Sequence, residues 1–228
     1  MGNATDRLKI LVGEAGLDKL NEAKVTVIGL GGVGGQVAEA IVRSFVGRVV
    51  LVDGDRVDAS NVNRQILATQ RNVGEEKALL AAARAKEINP TAEITPVVRF
   101  VKADNLDDLP IWDSDVVLDA IDDVEAKVAL LAECVKRGVK AISSMGAANR
   151  TDPTAFKVAD ISETHTCPLA KKMRKMLASL GITKGIDVVF STEKGESFGG
   201  ALGSFSFVPP AAGLVLASAA IRYLLARE

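Results

Sequence analysis

The chain has 228 residues, enough for one large domain with a substantial core. Hydrophobic residues make up 48% and charged residues 25%, which excludes a disordered or fibrous chain. With 28 Lys and Arg against 29 Asp and Glu the net charge is −1, so no global field recruits a polyanion and any such site must be a local patch.

Asp6, Arg7 and Lys9 precede an amphipathic segment rather than an apolar signal core, so a cytoplasmic location is expected. Cys134 and Cys167 are too few for a four-thiolate zinc site, and no zinc is expected. Residues 6–22 read as one amphipathic helix or two, with Leu8, Leu11, Val12, Leu17 and Leu20 on the apolar side. Val25, Val27 and Ile28 form a β-branched run ending at Gly29, the pattern of a buried parallel strand. Gly29, Gly31 and Gly34 then fit G-x-G-x-x-G, with Gly32 and Gly35 as further glycines; such a turn bends sharply and lets backbone N–H groups approach a phosphate. Val37, Ala38, Ala40, Ile41, Val42 and Phe45 continue at helical spacing, which points a helix N-terminus at the anion. A second strand, 49–52, finishes at Asp53, 24 residues after Gly29, where a carboxylate accepts hydrogen bonds from ribose hydroxyls.

A glycine turn of this kind serves dehydrogenases and ATP-binding enzymes alike. The residues after Asp53 separate the two. Asp55, Asn61, Asn63, Arg64 and Gln65 follow within a dozen positions, and Lys77 opens the next helix. Arg64 and Lys77 suit a triphosphate, and Asp55 or a later acid suits its magnesium; hydride transfer needs little of this chemistry.

The helix over 75–88 stops at Asn89-Pro90. A strand is expected over 94–100, a short helix over 104–109 and a buried strand over 115–118. That last strand delivers Asp119 and Asp122 to the carboxyl edge of the sheet, where doubly wound folds bind ligands. Asp119 or Asp123 alternatively caps the next helix, 124–137, which Gly138 ends. Cys134 sits in it as a small buried hydrophobe. A strand over 139–144 completes an alternation that predicts a Rossmann-like, doubly wound, mostly parallel α/β sheet.

Beyond Arg150 the pattern changes. A strand over 156–161, a basic helix over 169–180 and a strand over 188–191 read as an antiparallel extension. Residues 193–203 are polar, glycine-rich and expected to be mobile. Residues 207–225 are apolar, but Pro209-Pro210 and Arg222 leave about a dozen uninterrupted positions, too few for a bilayer. A helix in the core or at a subunit interface is expected there. The chain thus reads as one domain, 1–228, with a nucleotide-binding half (1–150) and a substrate-binding and dimerisation half (151–228).

The set GLGGVGG, Asp53-Gly54-Asp55, Asn61-Val62-Asn63-Arg64-Gln65, Lys77 and Asp119-Ala120-Ile121-Asp122 resembles the ubiquitin-activating-type, ThiF-like adenylyltransferases, some of which adenylate sulfur-carrier proteins. Asp152-Pro153-Thr154, Pro168-Leu169-Ala170-Lys171, 187–193 and 203–209 resemble the tRNA threonylcarbamoyladenosine dehydratases within that superfamily, so the likeness spans nearly the whole chain. The resemblance implies a homodimer that uses ATP and magnesium, with a potassium or sodium ion also associated. Such enzymes activate the threonyl carboxylate of a modified adenosine beside the tRNA anticodon and cyclise it. The likeness assigns the glycine turn (Gly29, Gly31, Gly32, Gly34), Asp53, Asp55, Asn61, Arg64, Gln65 and Lys77 to the nucleotide. Asp122 becomes the magnesium-linked carboxylate, and Arg7 sits where a partner subunit's arginine reaches the phosphates.

With tRNA as substrate, Lys171, Lys172, Arg174 and Lys175 become a phosphate-tracking surface; otherwise they are a solvated face. Cys167 has two readings as well: a crossover-loop thiol served by His165, or an incidental loop cysteine. The dehydratase pattern more usually carries aspartate at Cys167, so this chain departs from it. The alternative acceptor is the C-terminus of a ubiquitin-like or sulfur-carrier protein, and a sulfur-donor protein is a further possible partner of that reading.

Overall fold

Short β-branched runs supply the centre of the computed structural model, which describes residues 2–196 and 199–227. In chain order the elements are α1 (Asp6–Glu22), β1 (Lys24–Ile28), α2 (Gly34–Arg43), β2 (Arg48–Val52), α3 (Lys77–Ile88), β3 (Glu93–Val97), β4 (Val116–Asp119), α4 (Val124–Arg137), β5 (Ala141–Ser144), β6 (Phe156–Asp160), α5 (Pro168–Ser179), β7 (Asp187–Ser191) and α6 (Val208–Ala226). The strands form one seven-stranded sheet ordered β3-β2-β1-β4-β5-β7-β6. Every pairing is parallel except β6 with β7. The expected mostly parallel sheet with an antiparallel extension is therefore observed.

Alternation along the central strands fills two cores. Val49 and Leu51 face one side with α2, α3 and α6, whereas Val50 and Val52 face the other with α4 and α5. Both faces are covered, which is why the strands read as continuous apolar runs. Glu39 of α2 is clamped by Arg84 of α3 at 2.6 and 2.9 Å and by Arg43 at 2.7 Å. Burial raises its pKa, but the two guanidinium groups prevail and hold the carboxyl below its ordinary value.

Several expectations need correction. The glycine-turn helix ends at Arg43, and Phe45 leaves it with φ of 58° in the left-handed region. β3 stops at Val97, so Arg99, Phe100 and Val101 turn over the sheet edge. The helix expected over 104–109 is a single 3₁₀ turn, Leu106–Asp108. α1 is broken at Gly13, as two amphipathic segments would be.

α6 is long and apolar enough, by length and composition, to cross a membrane. In this fold Val208, Ala212, Leu216, Ala217, Ala220 and Leu224 are instead buried against the sheet and α2.

Within 193–203, where mobility was expected, Glu193, Glu196, Ala201 and Gly203 hydrogen-bond to residues 149–152; Ser197 and Phe198 lie outside the described residues. Glu193 accepts hydrogen bonds from the Thr151 and Asp152 amides at 3.0 Å each. Asn149 Oδ1 accepts from the Gly203 amide at 2.6 Å, its carbonyl accepts from the Glu196 amide at 3.0 Å, and its Nδ2 donates to the Ala201 carbonyl at 3.2 Å.

Candidate nucleotide and acceptor cleft

The carboxyl ends of β1, β2, β4 and β5 open into a cleft of about 700 Å³. Its floor is the glycine turn. Gly29 has φ of 83°, and a Cβ there would stand 2.7 Å from the Ala120 carbonyl oxygen. A Cβ on Gly34 would stand 1.7 Å from the Gly29 carbonyl oxygen, so no larger residue lets α2 begin this close to β1.

Asp53 ends β2 facing this turn. Its carboxylate accepts from the Leu30 amide at 2.6 Å and the Asp55 amide at 2.7 Å. Burial pushes its pKa above the ordinary carboxylate value despite these two donors and the nearby Lys77. Lys77, only 5% exposed, donates to Asp55 at 2.9 Å. Arg64 is half-buried and donates through Nη1 to the Ser60 carbonyl at 2.8 Å and to Asn63 Oδ1 at 2.9 Å. Asn61 lines the cleft, but its Oδ1 accepts from the Asp58 amide in a capping box. Gln65 is buried, and its Oε1 has no partner among the described residues. A buried acceptor with nothing to accept from suits a ligand donor.

Opposite, the segment after β4 carries Asp122 to the cleft, where it is exposed. Asp123 is the cap of α4, accepting from the Ala126 amide at 2.8 Å. Asp119 does neither job. It is fully buried, paired to Lys127 at 2.7 Å and accepting from Ser143 Oγ at 2.6 Å. Lys127 escaped the sequence reading, because a lysine inside an amphipathic helix ordinarily faces water.

The predicted residues do not all meet. Gly29, Gly31, Gly32, Asp53, Asp55, Asn61, Arg64, Gln65, Lys77 and Asp122 line one cleft; Gly34 sits beneath it. Arg7 is exposed on α1 away from this cleft, beside Ile10 and Leu11, which are 86% and 83% exposed. Lys171, Lys172 and Lys175 stand exposed on α5, but Arg174 is half-buried and donates to the Thr164 carbonyl at 2.8 Å and to its hydroxyl. It belongs to the packing of α5, not to a free basic face.

Cys167 is buried and lines the cleft. His165 is exposed, packs edge-on against Phe190 and places Nδ1 2.8 Å from the Thr166 hydroxyl. The ring is thus engaged with Thr166 and Phe190. Cys134 is buried as expected, and desolvation pushes its thiol up to about 12.

The arrangement can hold a nucleotide across the turn, neutralise its phosphates with Arg64 and Lys77, and leave Asp122 free to touch a phosphate-borne cation. Known proteins resemble this chain over most of its length. The ThiF family profile matches residues 5–228. The tRNA threonylcarbamoyladenosine dehydratase of Bacillus subtilis is 46% identical over 187 residues, covering 82% of this chain and 74% of that protein. Its Escherichia coli counterpart is 40% identical over 190 residues, 80% and 71% of the two chains. The crystal structure of the E. coli enzyme in complex with ATP has a TM-score of 0.90 at 37% identity, covering 96% of this chain and 92% of that one. The chain belongs to the ThiF family, in its tRNA threonylcarbamoyladenosine dehydratase branch.

Proposed function

We propose that this protein is an ATP-dependent tRNA threonylcarbamoyladenosine dehydratase. The observation that carries the reading is the gathering of Asp53, Arg64, Gln65, Lys77 and Asp122 around a glycine turn, in a chain alike over most of its length to such enzymes.

A carboxylate is a poor electrophile because its leaving group would be oxide. One carboxylate oxygen of the substrate attacks the α-phosphorus of ATP; the bond to the bridging oxygen breaks and pyrophosphate departs. A nucleophile on the same modified base then attacks the acyl carbon, loses its proton and expels AMP, which carries off the former carboxylate oxygen. The net change is loss of one water from the substrate. Because the second attack is intramolecular, effective concentration supplies much of its rate and no enzyme nucleophile is needed.

Asp53 grips the ribose, and the glycine-turn amides and α2 N-terminus face the phosphates. Arg64 and Lys77 stabilise the charge that develops on the phosphates. Among the described residues no three acidic, histidine or cysteine side chains form a metal cage. Asp122 would touch a magnesium ion brought with the nucleotide, and such an ion would supply charge neutralisation.

We assign the enzyme to the cytoplasm, with Lys171, Lys172 and Lys175 following the RNA backbone. We assign Arg7 to the cleft of a second copy. Ile10 and Leu11 beside it are among the most exposed large hydrophobic residues, which suits a covering subunit.

The test incubates the protein with ATP, magnesium and tRNA carrying threonylcarbamoyladenosine. Mass spectrometry of the digested tRNA should show the modified nucleoside lighter by one water, with pyrophosphate released. Pyrophosphate release only with a diglycine-ended carrier protein would shift the acceptor to that class.

A further inference from the structure

Arg150 has no role in the mechanism above, and its surroundings are unusual. It is 5% exposed and lines the cleft. Its Nη1 donates to the Ala148 carbonyl at 3.0 Å, while Nε and Nη2 have no partner among the described residues. Nε and Nη2 form one edge of the planar guanidinium, the edge that grips a carboxylate through two parallel hydrogen bonds. A buried cation with that edge unmatched is costly unless an anion fills it.

Two further groups lie beside the Nη1 end of the same guanidinium. A methyl group added at Gly146 would stand 3.7 Å from Arg150 Nη1, 3.7 Å from Leu169 Cβ and 3.8 Å from Cys167 Sγ. Cys167 and Leu169 begin α5, a twelve-residue helix whose first turn has no side-chain cap. Its positive end therefore adds to the guanidinium. Both neighbours of Arg150 are pinned: Asn149 by the bonds to Ala201, Gly203 and Glu196, and Thr151 by Glu193. The guanidinium is thus held in place before any ligand arrives.

We propose that Arg150, with the N-terminus of α5, is the acceptor subsite that receives the carboxylate to be adenylated. The inference rests on the dehydratase reading and names its acceptor contact.

The test compares wild type, Arg150→Met and Arg150→Lys, each loaded with magnesium and the non-cleavable analogue AMPCPP. The probes are N6-threonylcarbamoyladenosine and its methyl ester. Wild type should prefer the free acid by about 10- to 100-fold, the scale of hydrogen bonds to a charged group, and Arg150→Met should bind the two alike. Arg150→Lys should retain part of the preference. In turnover, KM for the modified tRNA should rise while KM for ATP stays unchanged. The ligand-free Tm of Arg150→Met should hold or rise, since a buried unmatched charge is removed. The inference is overturned if Arg150→Met still prefers the acid, or if only KM for ATP moves, which would assign the guanidinium to the polyphosphate. If wild type neither binds nor converts the acid, the dehydratase reading itself fails and the subsite falls with it.

Discussion

At the scale of single residues, the site is held by charges placed where water cannot reach them. Asp119 and Lys127 are both fully buried, with Ser143 donating to the same carboxylate. The pair ties α4 to the ends of β4 and β5, and so fixes the Ala120–Asp123 segment between them. Breaking one partner strands the other. Lys127→Met should lower stability by about 3–5 kcal/mol, whereas pairing it with Asp119→Leu should recover most of that loss; urea unfolding of both variants measures the difference. Asp53 presents the opposite case. Its folded pKa is raised above the unfolded one, so the ionised form is disfavoured by folding at neutral pH, and acidification from the folded value down to the unfolded one relieves that cost. Asp53→Asn should therefore change ligand-free stability by less than about 1 kcal/mol while weakening ATP roughly tenfold. Wild-type ATP affinity should fall as pH drops through the raised value of Asp53, and the variant should lose that component; calorimetric titration across pH reads both.

Among the elements, α5 presents two faces of different chemistry. Ala170, Met173 and Leu177 anchor it in the core, and Arg174 is bound to Thr164, which leaves Lys171, Lys172 and Lys175 toward solvent. Replacing Lys171 and Lys172 by Glu should weaken tRNA binding and flatten its dependence on salt, because each neutralised phosphate releases a counterion. ATP affinity should stay the same. Filter binding at several salt concentrations gives the slope, and an unaltered slope would move the RNA surface elsewhere. The ties between Asn149, Glu193 and the 193–203 segment act at this scale too. They bring Gly195, Glu196, Leu202 and Gly203 to the cleft as a wall that composition alone presented as a loose loop.

For the whole molecule, the decisive question is whether one subunit completes another. Arg7→Ala and Lys77→Ala should each be nearly inactive alone. Mixed under exchange conditions they should regain activity, because a heterodimer rebuilds one intact cleft; the absence of recovery would place Arg7 outside the mechanism. Most of the architecture was legible in the chain. Continuous β-branched and apolar runs ending at Gly29, Asp53 and Asp119 announced buried parallel strands, and the glycine spacing announced the turn. What stayed hidden depends on pairing across distance. Nothing local tells that Lys127 points inward at Asp119, that Arg150 is buried beside α5, or that Arg99-Phe100-Val101 leaves β3 to line the cleft. The bond from Arg174 to Thr164 was hidden for the same reason, since four basic residues on one short helix look alike in sequence.

If Lys77 meets the phosphates as proposed, its contact with Asp55 bears on how the nucleotide arrives. The ammonium is enclosed and already owns a counterion, so an incoming phosphate oxygen does not fill a vacant positive hole. It must displace a tethered rival, and the freed carboxylate can swing into solvent because Asp55 is itself exposed. Entry at this position is ion exchange within the protein. Selectivity for a doubly charged group over a singly charged one follows, because only the stronger anion outcompetes a partner that never diffuses away.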